Sequence, residues 1–183
     1  MVTTIVLLNG VGSVGKSSIA KALQTLTRTP FLHVQMDTFL DMMPERLQAH
    51  PDGISYEARE ADGRPAVAVD VGSVGARVLR GMHQAIAAMA AEGNDMIIDD
   101  VLFAAGVQKY RKLLSRFDLR CVGIFAPLDV LERREAERGD RMIGLARWQF
   151  DQVHRGIVYD LKIDSSVRSP VECAAQIQAA FNL

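Results

Sequence analysis

A chain of 183 residues, 49% apolar and 23% charged, is long enough to bury one substantial core and has the balance of an ordinary globular domain. Its 21 lysines and arginines stand against 22 acidic residues, a net charge of −1, so no basic field gathers nucleic acid or an anionic membrane surface. A ligand must be recognised at a local site.

The opening MVTTIVLLNG has no basic n-region and runs straight into a glycine turn, so it is not expected to act as a signal peptide. Thr4–Leu8 is a short apolar run of the kind buried in a parallel sheet. Ile19, Ala20, Leu23 and Leu26 then recur at helical spacing. Phe31–Met36 predicts a second strand, ending at Asp37. Residues 41–65 are polar and irregular, with Ile54–Tyr56 and Ala66–Val69 as candidate hairpin strands around Asp62-Gly63. A long amphipathic helix is expected from about Val74 to Glu92, stopped by Gly93.

Met96–Asp100 reads as a third strand, followed by a helix around Gly106–Arg116 and a strand Arg120–Phe125. Pro127 opens a very charged helix through Arg141, and a further helical stretch runs to about Val158, with Trp148, Phe150 and Val153 read as core. Leu161–Asp164 is the last predicted strand. Ser169-Pro170-Val171-Glu172 opens the final helix with a capping box. Cys121 and Cys173 sit in apolar surroundings without metal-ligand spacing and read as buried small hydrophobes. His83 and His154 lack a second ligand at metal spacing and read as structural. No apolar run approaches the about 18 residues that cross a bilayer. The expectation is a single cytoplasmic α/β domain over residues 1–183, with a mostly parallel five-stranded sheet wrapped by helices on both faces.

Two stretches spell VGSVG. The first completes Gly10-Val11-Gly12-Ser13-Val14-Gly15-Lys16-Ser17, with Ser18 following, between a predicted strand and a predicted helix. In such a loop the glycines allow a tight turn whose N–H groups converge on phosphate oxygens. Lys16 reaches the β- and γ-phosphates and the Ser17 hydroxyl ligates Mg²⁺, while the helix N-terminus favours the same anion. The second copy, Val71–Gly75, is followed by Ala76-Arg77 in place of lysine and hydroxyl. It reads as the entry to the long helix, with Ser73 as its cap.

Asp37 lies just past the second strand, on the same sheet edge as the loop. It either accepts the proton of an attacking hydroxyl or caps the short helix that holds Phe39 and Leu40. Asp99 ends an apolar strand where a carboxylate holds Mg²⁺ directly or through water. Asp100 must face the other side of that strand, to line an acceptor site or cap the next helix. Arg134, Arg138 and Arg141 share one face of the charged helix and suit a clamp over a triphosphate. A solvated face of alternating charges is the plainer reading of that helix. Met36, Met42 and Met43 cluster beside Asp37 as either core filling or an adaptable pocket.

Leu8-Asn9-Gly10 leading into Gly15-Lys16-Ser17, the segment Met36–Pro44, Ile97–Val101, Arg138-Gly139-Asp140-Arg141 with Gly144-Leu145-Ala146, and Val153-His154 through Tyr159-Asp160 together resemble the chloramphenicol phosphotransferase family. That family is related to the small nucleoside-monophosphate-kinase-like P-loop kinases, and the likeness spreads over nearly the whole chain. Residues 50–70, including Tyr56-Glu57-Ala58-Arg59-Glu60, depart from its pattern.

The resemblance implies a three-layer P-loop kinase fold and ATP- and Mg²⁺-dependent phosphorylation of the primary hydroxyl of chloramphenicol. It further implies an acceptor-binding insertion at about 41–70 and an arginine-bearing helical lid at about 127–141. Asp37 is then the general base, acting with Lys16, Arg138 and Arg141. Gly10 to Ser18 and Arg134 bind ATP, and Ser17 and Asp99 hold the metal. Met36, Met43, Asp100 and Phe103 are the candidate acceptor contacts. Two alternatives stay open: a kinase of another metabolite (a sugar, nucleoside or nucleotide sugar), and a module in which ATP only sets conformation. No pattern in the sequence specifies an oligomeric state.

Overall fold

The computed structural model describes residues 2–61, 63–139 and 142–183. The chain begins with β1 (Thr4–Asn9), α1 (Lys16–Leu26), β2 (Phe31–Gln35) and the short α2 (Met36–Leu40). A 3₁₀ turn, Glu45–Leu47, leads to β3 (Ile54–Ala61), β4 (Arg64–Val71) and α3 (Ser73–Ala91). Next come β5 (Asp95–Asp100), α4 (Ala104–Leu113), β6 (Asp118–Phe125) and α5 (Leu128–Arg138). The chain closes with α6 (Leu145–Val153), β7 (Leu161–Asp164) and α7 (Pro170–Phe181).

Five strands form one parallel sheet in the order β2-β5-β1-β6-β7, and β3 and β4 form a separate antiparallel hairpin. The period-two alternation of β1 builds both cores. Val6 and Leu8 pack with Ile19 and Leu23 of α1 and with Cys173 and Ile177 of α7. Ile5 and Leu7 pack on the opposite face with Met82 and Ile86 of α3 and Val107 and Tyr110 of α4. At roughly 1.5–3 kcal/mol per fully buried Leu, Ile or Val, this two-sided burial locks β1, and with it the loop that follows. Register aligns Leu8 with Asp99, Asn9 with Asp100, and Gln35 with Asp99, so the chemistry-bearing residues gather at one carboxyl edge.

Several boundaries differ from the sequence expectation for identifiable reasons. Met36 starts α2 instead of ending β2. The hairpin strands run well beyond their apolar centres, because the outer face of β3 is charged and solvated while Ala66, Val67 and Ala68 of β4 are buried. Asp62 of the predicted turn lies outside the described residues, and Gly63 takes a left-handed φ of 70°. Ser73 is not a cap: Gly72 occupies the N-cap position of α3 and no side chain bonds there. The second VGSVG is explained by close approach, since a Cβ on Gly72 would lie 1.9 Å from the Pro51 carbonyl oxygen. The charged helix ends at Arg138 with Gly139 left-handed at φ 68°, and α6 stops at Val153, short of the expected Val158. The predicted capping box of Ser169 and Glu172 is present, with Pro170 at the first position of α7. Cys121 and Cys173 are free, buried, and on opposite faces of the sheet. Among the described residues no helix is long and apolar enough to cross a membrane.

Candidate active site

The loop between β1 and α1 is built around two left-handed residues, Ser13 at φ 62° and Gly15 at φ 97°. Alternation into that region turns successive N–H groups toward a common point, the geometry of an anion nest. For Ser13 it is an uncommon conformation, held here by its surroundings. Val11 and Val14 are buried in the core and pin the loop to the sheet. Lys16, only 7% exposed, folds over the loop: its Nζ donates to the Gly10 carbonyl at 2.9 Å and the Val11 carbonyl at 3.2 Å.

Ser17 Oγ donates to Asp99 Oδ2 at 2.6 Å, and Lys16 Nζ stands 4.0 Å from Asp99 Oδ1. His33 Nε2 approaches the same carboxylate at 3.6 Å, just beyond hydrogen-bond range. Burial alone would raise the pKa of Asp99. His33, Lys16 and Ser17 together outweigh it and hold the carboxyl below its ordinary value. A hydroxyl and an ionised carboxylate touching at the foot of a phosphate loop suit Mg²⁺, which takes few protein ligands and completes its shell with water and phosphate oxygens. Among the described residues no group of three His, Cys, Asp or Glu side chains forms an all-protein metal cage.

The Asp100 carboxylate turns to the other side of β5, as the pleat requires, although the residue borders the cavity that opens from the loop. It is buried, accepts from Val101 N at 2.7 Å and from Tyr110 Oη at 3.1 Å, and burial pushes its pKa up to about 6. Asn9 crosses between loops in the same region. Its Nδ2 donates to Leu102 O and Tyr159 Oη, and its Oδ1 accepts from Leu102 N at 2.7 Å. Tyr159 Oη also meets His154 Nδ1 at 2.8 Å, and that ring stacks on Phe125 at 3.8 Å. Burial, with Lys16 nearby, lowers the His154 pKa to about 4. His83 packs edge-on against Tyr110. Both histidine rings pack against aromatic neighbours.

A cavity of about 260 Å³ opens directly from the loop. Gly12, Ser13, Gly15, Lys16, Ser17 and Ser18 form one end, and Met36, Asp37, Asp99, Asp100, Phe103 and Arg138 line its walls. The structure therefore brings together most of the residues singled out from sequence. Asp37 lies in the first turn of α2, whose N-cap position is Gln35, so it is not the helix cap. Arg134 lies in a second cavity with Ser13, Val14, Gly15 and Ser18, and Arg138 borders both cavities. Arg134 is tied to the loop through Ser165, which accepts from Arg134 Nη1 at 3.3 Å and donates to Val14 O at 2.8 Å. Met43 is buried and borders neither cavity, nor do Gly10 and Val11. Arg141 lies outside the described residues.

Sequence reasoning reached only part of the far wall: Ile54, Tyr56 and Val69 fall within the 41–70 segment expected to grip the acceptor, whereas Val71, Leu79, Leu145, Trp148 and Gln149 were not assigned to the site. Ile54, Tyr56, Val69 and Val71 of the hairpin, Leu79 of α3, and Leu145, Trp148 and Gln149 of α6 complete the cavity. Trp148 is not core: it is half-buried and meets Phe103 edge-on at 5.9 Å. The alternation of apolar residues at Val69 and Val71 was the available signal. No local pattern announces that α6 turns Trp148 toward the loop.

A family model described as chloramphenicol phosphotransferase-like protein matches residues 3–182. Two Mycobacterium tuberculosis proteins, from strains CDC 1551 / Oshkosh and ATCC 25618 / H37Rv, bear the name "Putative O-phosphotransferase". Each is 28% identical over 183 residues, covering 97% of this chain and 81% of its own. Among solved structures, a sugar kinase from Janibacter sp. HTCC2649 superposes with a TM-score of 0.69 at 19% identity, over 98% of this chain and 95% of that one. The Mycobacterium tuberculosis APS kinase in complex with AMPPNP and APS gives 0.66 at 19% identity, over 100% and 99%. Likeness at such identities establishes the fold, that of the P-loop kinases.

Proposed function

The chain belongs to the chloramphenicol phosphotransferase-like family and is a small-molecule O-phosphotransferase of P-loop kinase fold; on that premise we propose that it moves the γ-phosphoryl of ATP to the primary hydroxyl of chloramphenicol. The observation that carries this reading is the single cavity in which Lys16, Ser17 and Asp37 share walls with Tyr56, Val69, Val71 and Trp148. A phosphate loop and a carboxylate meet an apolar, partly aromatic surface, which suits an alcohol with an aromatic body more than a polyol or a sugar. Among the described residues the basic side chains on the walls are Lys16 and Arg138, both already assigned to the transferred phosphoryl group.

In the transfer the acceptor oxygen attacks the γ-phosphorus, its proton passes to the Asp37 carboxylate, and the bond from phosphorus to the β,γ-bridging oxygen breaks to release ADP. Lys16, the loop amides and Arg138 stabilise charge on the transferred group, with Arg134 on the nucleotide side; Arg141, close by in the sequence, is a further candidate for the same clamp. Ser17 and Asp99 are the residues that would hold Mg²⁺, which would there neutralise phosphate charge. Phosphorylation of the drug's hydroxyl inactivates it, and the cytoplasm supplies the ATP.

The test is incubation with Mg²⁺-ATP and chloramphenicol, read by mass spectrometry for a product heavier by one phosphoryl group. Product from the wild type and none from Asp37→Asn is expected. Unmodified drug from a wild type that still binds nucleotide rejects this acceptor and turns the search to other alcohols.

A further inference from the structure

Gln149 lies on α6, far from the loop in sequence, yet its Oε1 accepts a hydrogen bond from the Gly12 backbone N–H at 2.7 Å. The contact is close enough that a Cβ on Gly12 would come within 3.3 Å of Oε1. Because a backbone N–H only donates, the oxygen end of the carboxamide must face it, and the orientation of the whole planar group follows. Its other end, Nε2, is then a donor beside the loop. It makes no hydrogen bond with the described residues, although the side chain is only 7% exposed. Among the described residues Gln149 Nε2 is not one of the fully buried side-chain atoms that lack a partner, so it keeps some exposure, and Gln149 lines the cavity. A nearly buried amide donor in that place gains most when an acceptor oxygen arrives.

The residue is also held firmly. The buried Glu135 carboxylate of α5 accepts from Gly144 N at 2.7 Å and Ala146 N at 2.8 Å, fixing the start of α6. We propose that Gln149 is a further catalytic residue: Oε1 fixes Gly12 while Nε2 donates a hydrogen bond to an oxygen of the transferred γ-phosphoryl, so that the side chain distinguishes a nucleoside triphosphate from a diphosphate. This rests on the phosphotransferase reading and adds no bond-making step to it.

The experiment is calorimetric titration of the whole chain, with Mg²⁺, by AMPPNP and by ADP, for wild type, Gln149→Glu and Gln149→Met. Glutamate keeps an acceptor for Gly12 N–H but presents an anion where the donor was. The preference for the triphosphate analogue should fall at least about tenfold, the scale of a charged hydrogen bond. Methionine keeps the volume and removes the donor without adding charge, and should lower the same ratio about threefold to tenfold. Thermal melting of each variant monitors folding, and if the glutamate variant does not fold the methionine variant carries the measurement. A side chain that only shapes the loop changes both affinities together. An unchanged ratio in a variant that binds nucleotide therefore overturns the role of Gln149 alone. A wild type that binds neither nucleotide overturns that role together with the phosphotransferase reading.

Discussion

Asp99 and Asp100 are consecutive on β5, and the pleat gives them opposite surroundings. Asp99 is held ionised against Ser17, Lys16 and His33, whereas Asp100 is buried against Tyr110 and shifted up toward about 6. Only the first is prepared to face a cation. Asp99→Asn should weaken Mg²⁺ dependence of AMPPNP binding about 10–100-fold, while nucleotide affinity without the metal changes little; equal loss in both conditions would remove Asp99 from the metal. His154 allows a second prediction. Its folded pKa, about 4, lies below the ordinary 6.5, so between those values the unfolded chain takes up a proton that the folded chain refuses. Stability should fall as pH drops from about 6.5 to about 4. His154→Phe, which keeps a ring stacked on Phe125, should show a shallower decline of melting temperature over that window. The same slope in both proteins would mean that other groups produce it.

At the scale of elements, α5 shows how a charge-rich helix serves two purposes. Most of its charges are solvated, but Glu135 is 2% exposed and caps α6, and Glu132 pairs with Arg147. Glu135→Ala leaves two buried N–H groups without acceptors and a small void, a loss of about 2–4 kcal/mol that urea unfolding would resolve. Glu135→Gln retains an acceptor and should cost less. If both variants unfold with the wild-type midpoint, the carboxylate is not holding α6. The charged pattern of Glu132–Arg138 gives no hint of which glutamate is inside, because burial there is decided by the position of α6. By contrast β1, β5 and β6 were legible as continuous apolar runs, since a strand covered on both faces needs no polar side. The phosphate loop was legible because its glycines, lysine and hydroxyl are each required by local chemistry. The full hairpin was not: Glu57 and Arg59 on one face and Glu60 on the other conceal a strand whose pairing is satisfied by β4.

At the scale of the whole molecule, the strand order β2-β5-β1-β6-β7 brings Asp37 into one cavity with Ser17 and Asp99, although β2, the β3–β4 hairpin and α3 lie between them in sequence. That order is a property of packing, and the wall made by Trp148 and the hairpin depends on it as much as the catalytic edge does. A ligand bound at the loop should consequently stabilise the chain as one unit. Excess Mg²⁺-AMPPNP at about 100 times its dissociation constant adds about 2.7 kcal/mol, which for a chain of this size raises the melting temperature roughly 5–10 °C. Lys16→Ala removes both the phosphate partner and the bonds to Gly10 and Val11, so its unliganded melting temperature also changes. The increment produced by nucleotide is thus the quantity to compare, not the starting temperature. Scanning calorimetry of both proteins, with and without nucleotide, should show the increment in the wild type and almost none in the variant. An equal increment in Lys16→Ala would place the bound nucleotide somewhere other than the loop between β1 and α1.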